Sequence, residues 1–355
     1  MRELTTTGEQ IATLLATCWR AKPSSLALTQ DGLCRITAPL IRSGAGPLGW
    51  WRIAHAELGM TVSGLPLLMA YFQQARATEA RTAEIKELFT LLNSAGLEAI
   101  LHKGWAAARA YPREGLRPIG DIDLIIRPRQ QAVFRDLLRT YGPQQPEVDF
   151  EHSEISDLDD RALEGLFARS QVVSIDEVPV RVLGAEDNLR LLSLHLMKHY
   201  AHRPLWLCDV AAFLESRPAQ FDWEYCLGND RRERNWITTA LALAHRLLGA
   251  DLQNTPIAAE IGTLPGFLVR EVVRHWAGGY SNLYAKAMAP MHTYLRHPKG
   301  VLTDLANRWP GRLEAAIGLR KPIDETPLCG LPSQLAYSLL RTTRFLARLP
   351  HALRG

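Results

Sequence analysis

The sequence predicts an α+β protein in which a small α/β core is flanked by two helical regions. Residues 1–80 read mostly as helix, interrupted by the Gly/Pro-rich stretch SGAGPLGWW at 43–51. Residues 81–184 alternate between short apolar runs and helical patterns, and long helical patterns dominate from there to the end. We therefore predict an N-terminal helical region at 1–80, an α/β core at 81–184 and a C-terminal helical domain at 185–355.

The first half of the core is predicted to be helix, strand, turn and strand. In ARTAEIKELFTLLNSAG, apolar residues recur at three- and four-residue steps and Gly96 ends the helix. LEAIL (97–101) is a short strand, and HKGWAAARAYP is a turn followed by a short helix. DIDLIIR is a strand bounded by Gly120 and Pro128. This order places a turn between two strands.

The second half of the core continues the alternation. RQQAVFRDLLRTYG is a predicted helix, EVDFE (147–151) a strand, and QVVSI with VPVRVLG a hairpin within 171–184. AEDNLRLLSLHLMKHYAH begins the C-terminal helices. The final stretch SQLAYSLLRTTRFLARLPHALRG is a basic amphipathic helix, interpreted as a terminal helix packed on the domain, with a membrane-surface or partner-binding role as the alternative.

Composition narrows the class of protein. The chain is 47% hydrophobic and 22% charged, which is typical of a globular protein, and the net charge of +4 does not indicate a nucleic-acid-binding protein. The five cysteines are scattered without a CxxC pair, so we expect no disulfide framework and a cytoplasmic location. The N-terminus reads as a helix without a signal-peptide pattern, and no apolar run predicts a transmembrane helix.

Two acids open the strand DIDLIIR. Because strand side chains alternate, Asp121 and Asp123 are predicted to share one face, within about 7 Å of each other. Two unpaired carboxylates repel, and a divalent cation between them removes this conflict. Such a site suits phosphoryl or nucleotidyl transfer. The alternative is a pair of edge-strand acids that form ion pairs with Arg113, Arg117 or Arg127.

The flanking segments add a turn and a third acid. Lys103-Gly104 lies at a strand-to-helix turn, where glycine lets a ligand approach the backbone and the lysine adds positive charge. An ordinary turn with a solvated lysine is the alternative. Glu147, Asp149 and Glu151 share a face of the later strand, and we favour Asp149 as a third metal ligand or a general base. The alternative there is a solvated strand face.

Together these segments resemble a known family. LHKGWAAARAYPREGLRPIGDIDLIIRP resembles an uncharacterised bacterial nucleotidyltransferase group of the DNA polymerase β-like superfamily, and HLMKHYAHRPLWLCDVAAFL is similar to that group's second stretch. The resemblance covers about residues 80–215. It implies a small mixed β-sheet flanked by helices, an NTP donor, Mg²⁺ (or Mn²⁺), and metal binding by Asp121, Asp123 and Asp149.

Two features depart from the superfamily pattern. The chain has Gly104-Trp105 where the superfamily usually has Gly-Ser, so the serine hydroxyl is missing, and the interval from Gly104 to Asp121 is longer than usual. The triphosphate would then be held differently, with Lys103 or Arg117 as the substituting residue.

The second stretch offers further candidates. Lys198, one of only seven lysines, lies on a helix after the core and could reach the β- and γ-phosphates, with a plain surface lysine as the alternative. His195 and His199 lie four residues apart on one helical face and His202 follows, but we favour lining of the interdomain cleft or local contacts over a metal site for them. Asp209 lies in an apolar helix, so we expect a buried ion pair with Arg203 or His199.

The resulting hypothesis is an enzyme that transfers a nucleoside monophosphate from an NTP to an acceptor hydroxyl or phosphate and releases pyrophosphate. Two alternatives are a non-catalytic nucleotide-binding or protein-interaction module and a metal-dependent transferase with a nucleotide-sugar donor. The sequence does not identify the acceptor, which could be a small molecule, a peptide, a protein or an RNA end. The modest charge argues against a long nucleic acid.

Overall fold

The computed structural model describes residues 2–54, 56–140, 147–150, 158, 161–260, 264–278, 309–323 and 330–352. The helices are α1 Arg2–Leu15, α2 Gln30–Arg42, α3 Gly46–Ile53, α4 Leu65–Ser94, α5 Gly104–Ala108, α6 Gln131–Arg139, α7 Leu163–Arg169, α8 Ala185–Lys198, α9 Pro204–Ser216, α10 Trp223–Leu227, α11 Arg231–Leu248, α12 Ile257–Glu260, α13 Gly266–Gly278, α14 Arg312–Gly318 and α15 Leu331–Ala352. The strands are β1 Ala99–His102, β2 Ile122–Ile126, β3 Val148–Asp149, β4 Gln171–Ile175 and β5 Val178–Val182.

The sheet is mixed, and its order is β3-β2-β1-β5-β4. Strand β1 pairs antiparallel with β2 and parallel with β5, while β3 runs parallel to β2. Strands β4 and β5 form the predicted antiparallel hairpin. The small mixed sheet among many helices confirms the α+β prediction.

Both faces of the sheet are buried. One face packs Ile122, Leu124 and Ile126 against helices α4 and α6, as the alternation in DIDLIIR predicts. The other face packs Ile125, Ile100 and residues of α7 and α8 in a second apolar cluster. Asp121 and Asp123 therefore lie at the end of the face that α7 and α8 cover, with Asp123 buried and Asp121 exposed.

The helices that precede and follow the sheet share one hydrophobic core. This cluster extends from Ile11 in α1 to Ile323 beyond α14, and α1 packs directly against α13. Helix α4 begins at Leu65 and so continues through the predicted boundary at residue 80. The division into 1–80, 81–184 and 185–355 stays a prediction, which limited proteolysis can test.

Helix α15 packs on α14 by one face. Tyr337 is buried there, and Arg341 donates to Glu314 at 2.9 Å. Leu331, Leu335 and Leu339 lie on the exposed face. The packed face agrees with the interpretation of a docked terminal helix. Among the residues described, no helix has the length and apolarity needed to cross a membrane.

Candidate active site

Three aspartates meet at one end of the sheet. Asp121 immediately precedes β2, Asp123 lies within it, and Asp149 lies beside Asp123 in the parallel pairing of β2 with β3. Each aspartate offers a carboxylate oxygen, and these three oxygens lie within 4.8 Å of one another. Asp123 is buried, Asp149 is half-buried and Asp121 is exposed. The group is therefore open on one side, as a site for a metal and its substrate must be.

The third acid of this group is Asp149, the residue that the sequence favoured. Glu147 is exposed, and among the described residues it is not part of the carboxylate group. Its backbone carbonyl accepts a hydrogen bond from the Ile122 amide at 2.9 Å. Glu151 lies outside the described residues. The catalytic and metal-binding assignments of the three aspartates stay predictions.

Burial and mutual repulsion disfavour the ionised form of Asp123. The pKa of Asp123 is raised to about 7, chiefly by burial; the charge of Lys103 opposes the increase, and the acids Asp121 and Asp149 add to it. The Lys103 Nζ lies 4.0 Å from Asp123 Oδ1. Near neutral pH, Asp123 of the metal-free site is therefore partly protonated, and a bound divalent cation would displace that proton.

The alternative of ordinary arginine-paired acids on an edge strand is wrong. Strand β2 lies between β3 and β1, so it is an inner strand. Arg127 pairs with Glu98 and Glu164 at the opposite end of β2. Arg117 pairs with Asp209, and Arg113 lies over the Trp51 ring.

The Lys103-Gly104 turn lies directly against the loop that bears the acids. Lys103 is buried and adopts φ 52° and ψ −136°, a region that costs a residue with a side chain about 1–3 kcal/mol. Gly104 begins α5, and a Cβ atom there would lie 3.4 Å from the Asp121 carbonyl oxygen. Trp105 packs against the sheet core. The alternative of a solvated lysine is therefore wrong, and the triphosphate contact of this turn stays a prediction.

Arg117 belongs to a buried network that the sequence did not predict correctly. Its Nη2 donates to Asp209 Oδ2 at 2.9 Å, and the Tyr111 hydroxyl donates to Asp209 Oδ1 at 2.8 Å. The expectation of a buried ion pair for Asp209 is confirmed, but the expected partners Arg203 and His199 are wrong. The network fixes the loop before the acids to helix α9.

The histidines of the second stretch surround an indole. The rings of His195, His199 and His202 lie 4.6, 5.2 and 5.2 Å from Trp206, centroid to centroid. Within the described residues, these histidines do not form a group with metal-ligand distances. Arg203 lies beside Gly44, as does Pro118 of the acid-bearing loop. Lys198 is in the last turn of α8, and its phosphate contact stays a prediction.

The fold and the three acids define the class of protein. A mixed sheet that presents D-x-D at the start of an inner strand, with a third aspartate on the parallel neighbour, is the arrangement that the resemblance to nucleotidyltransferases implies. The chain belongs to a family described as uncharacterised nucleotidyltransferase, whose model matches residues 40–249. It is therefore a transferase of nucleotidyl groups. No curated protein and no solved structure matches the chain.

Proposed function

We propose that this protein transfers a nucleoside monophosphate from an NTP to an acceptor hydroxyl or phosphate and releases pyrophosphate. The main support is the group of three carboxylates whose ligand oxygens lie within 4.8 Å of one another; one of these acids, Asp123, is buried beside Lys103 with a pKa of about 7. Family membership supports nucleotidyl transfer in general. The donor, the ion and the acceptor are the additional elements of this proposal.

All three aspartates would bind the metal in the proposed reaction, and Asp149 would have a second role. Asp121, Asp123 and Asp149 hold Mg²⁺ or Mn²⁺, for which carboxylate oxygens are the preferred ligands. When bound, the metal neutralises charge on the phosphates and orients the reacting group. Asp149, on the neighbouring strand, also lies where a base could accept the proton of the acceptor hydroxyl.

The turn and nearby cations would bind the triphosphate. Gly104 leaves the backbone accessible, and Lys103 provides a charge that replaces the missing serine hydroxyl of the turn. Lys198 remains the proposed contact from the C-terminal helices. Arg117 is the weaker candidate, because its guanidinium donates to Asp209 and to the Pro118 carbonyl at 2.6 Å, which leaves few N–H groups for a phosphate.

The acceptor is proposed to be a small molecule, a peptide or a protein. A long nucleic acid is disfavoured because the net charge is only +4. Cys18, Cys34, Cys208 and Cys226 are free thiols, which supports a reducing compartment such as the cytoplasm.

The proposal can be tested by measuring NTP binding and product formation. Thermal stability is compared with ATP, CTP, GTP and UTP, each with and without Mg²⁺ or Mn²⁺, and released phosphates are analysed. A ligand at about 100 times its dissociation constant stabilises by roughly 2.7 kcal/mol, which a melting curve resolves. We expect a metal-dependent shift and pyrophosphate release, both lost in Asp123→Asn and retained in Asp136→Asn, a control whose side chain is 70% exposed.

Two outcomes would contradict the proposal. Release of a nucleoside diphosphate from a nucleotide sugar would indicate the alternative donor. The absence of a shift with every NTP, in folded protein, would remove the basis for an NTP donor.

A further inference from the structure

A cavity lined by residues of α5 lies at the same end of the sheet as the acids. Its volume is about 340 Å³, within the usual range for small-molecule sites. The strand pairings determine the position of this cavity. Gln171 in β4 pairs with Val182 in β5, and Val182 pairs with Leu101, which precedes His102 at the end of β1. The remaining lining comes from α5, the start of α8 and the end of α9.

The lining has two cationic side chains, Arg109 and Arg217, and no acidic residue. Within the described residues neither guanidinium has a carboxylate partner: Arg217 donates to the carbonyls of Leu214 and Gln253, and Arg109 lies 5.7 Å from the Trp105 ring. Partial burial without a counter-ion lowers the pKa of Arg109. The cavity is therefore electrostatically suited to an anion.

The first turn of α8 also faces this cavity. Ala185 lines it, and no side chain caps the start of this 14-residue helix, so its first N–H groups have no intrahelical partner. The two acids of that turn, Glu186 and Asp187, lie 3.1 and 3.9 Å from Arg169. Arg169, which does not line the cavity, therefore offsets part of the negative charge of this turn.

Asn188 provides an independent indication of a ligand. It is 4% exposed, lines the cavity, and its Oδ1 has no hydrogen-bond partner in the described part of the chain. A buried carboxamide without a partner costs about 1–3 kcal/mol. A ligand that offers an O–H donor, with an anionic group toward the arginines, would satisfy it.

We propose that this cavity binds a small hydroxylated anion, a phosphate or carboxylate, through Arg109, Arg217, the start of α8 and the Asn188 carboxamide. This site is separate from the three aspartates and does not depend on the proposed transfer reaction. The volume accommodates a molecule of the size of a sugar phosphate.

The test uses the full chain in EDTA without nucleotide, so that no metal occupies the acid site. Binding of glycerol 3-phosphate and inorganic phosphate is measured by calorimetry. We expect one binding site. Its affinity should fall at least about tenfold in Arg109→Ala, which removes a charged hydrogen bond to the ligand, and in Asn188→Leu, which removes a buried hydrogen-bond partner. Arg113→Ala, an exposed arginine outside the cavity, and Asp123→Asn should bind as the wild type does.

Stability separates a binding role of Asn188 from a structural one. Because Asn188 Oδ1 has no hydrogen-bond partner among the described residues, Asn188→Leu should melt at or above the wild-type temperature while it loses binding. No binding by the wild type, unchanged binding in Arg109→Ala and Asn188→Leu, or loss of binding in Asp123→Asn would each overturn the proposal. If Asn188→Leu does not fold, Arg109→Ala alone decides, since Arg109 is exposed.

Discussion

Replacing Asp209 tests whether the network it forms with Arg117 and Tyr111 holds the acid-bearing loop in place. The Asp209 side chain is fully buried, and that of Arg117 is 8% exposed. Asp209→Ala leaves a buried guanidinium without its counter-ion, which typically costs about 3–5 kcal/mol. The Tyr111 hydroxyl also loses its acceptor, which adds about 1 kcal/mol.

The assay is equilibrium urea unfolding combined with a double-mutant cycle. Asp209→Ala should lose about 4–6 kcal/mol of unfolding free energy, and its melting temperature should fall on the order of 5 °C. The cycle is closed by Arg117→Met and by Arg117→Met/Asp209→Ala, and the double variant, which removes both charges, should recover most of that loss. Asp136→Ala, in an exposed pair with Arg139, should change stability by less than about 0.5 kcal/mol. A loss below about 1 kcal/mol for Asp209→Ala, or additive effects in the cycle, would refute the reasoning.

Three further predictions concern the acid site. Because Asp123 must lose its proton to bind a metal, Mn²⁺ affinity should rise about tenfold per pH unit up to about pH 7 and then level off; a pH-independent affinity from 5.5 to 8 would contradict this. The folded-state pKa of Asp123 lies above its unfolded value of 3.8, so ionisation of Asp123 destabilises the metal-free fold as pH rises toward 7. The stability gain of Asp123→Asn over the wild type, measured by melting, should therefore be larger at pH 8 than at pH 5. Lys103→Gly should be more stable than Lys103→Ala by about 1 kcal/mol, because glycine adopts φ 52° without strain. Both variants should bind NTP weakly. Equal stabilities of the two variants would argue against strain at the turn.

The features of this site that depend on neighbouring residues in the chain could be predicted from the sequence. The alternation in DIDLIIR correctly separated the core-facing residues from the face of the two aspartates, because strand geometry determines it. The strand containing Asp149 was also predictable from its pattern. Its parallel register beside Asp123 was not predictable from spacing alone, because residues 127–147 intervene and pairing depends on the whole sheet.

Features that depend on distant contacts were not predictable. An acid in the apolar helix α9 correctly indicated a buried ion pair, but its partner Arg117 lies 92 residues away and was chosen by packing. Helix α4 starts at Leu65, well before the predicted start at residue 80, because its first turns expose Leu65, Met69 and Phe72 and so lack the amphipathic pattern. The cavity at Asn188 requires five elements, β4, β5, α5, α8 and α9, to meet, and no local sequence pattern predicts that meeting.

The most direct test of the proposed site is Mn²⁺ binding, measured by the loss of the free-ion electron paramagnetic resonance signal at pH 8. Wild type and Asp136→Asn should bind Mn²⁺ with equal affinity, and Asp123→Asn should bind at least about tenfold more weakly, because it removes one of few carboxylate ligands. NTP should increase Mn²⁺ affinity only where Asp123 is intact. Equal Mn²⁺ binding by wild type and Asp123→Asn would contradict a metal site at the three aspartates.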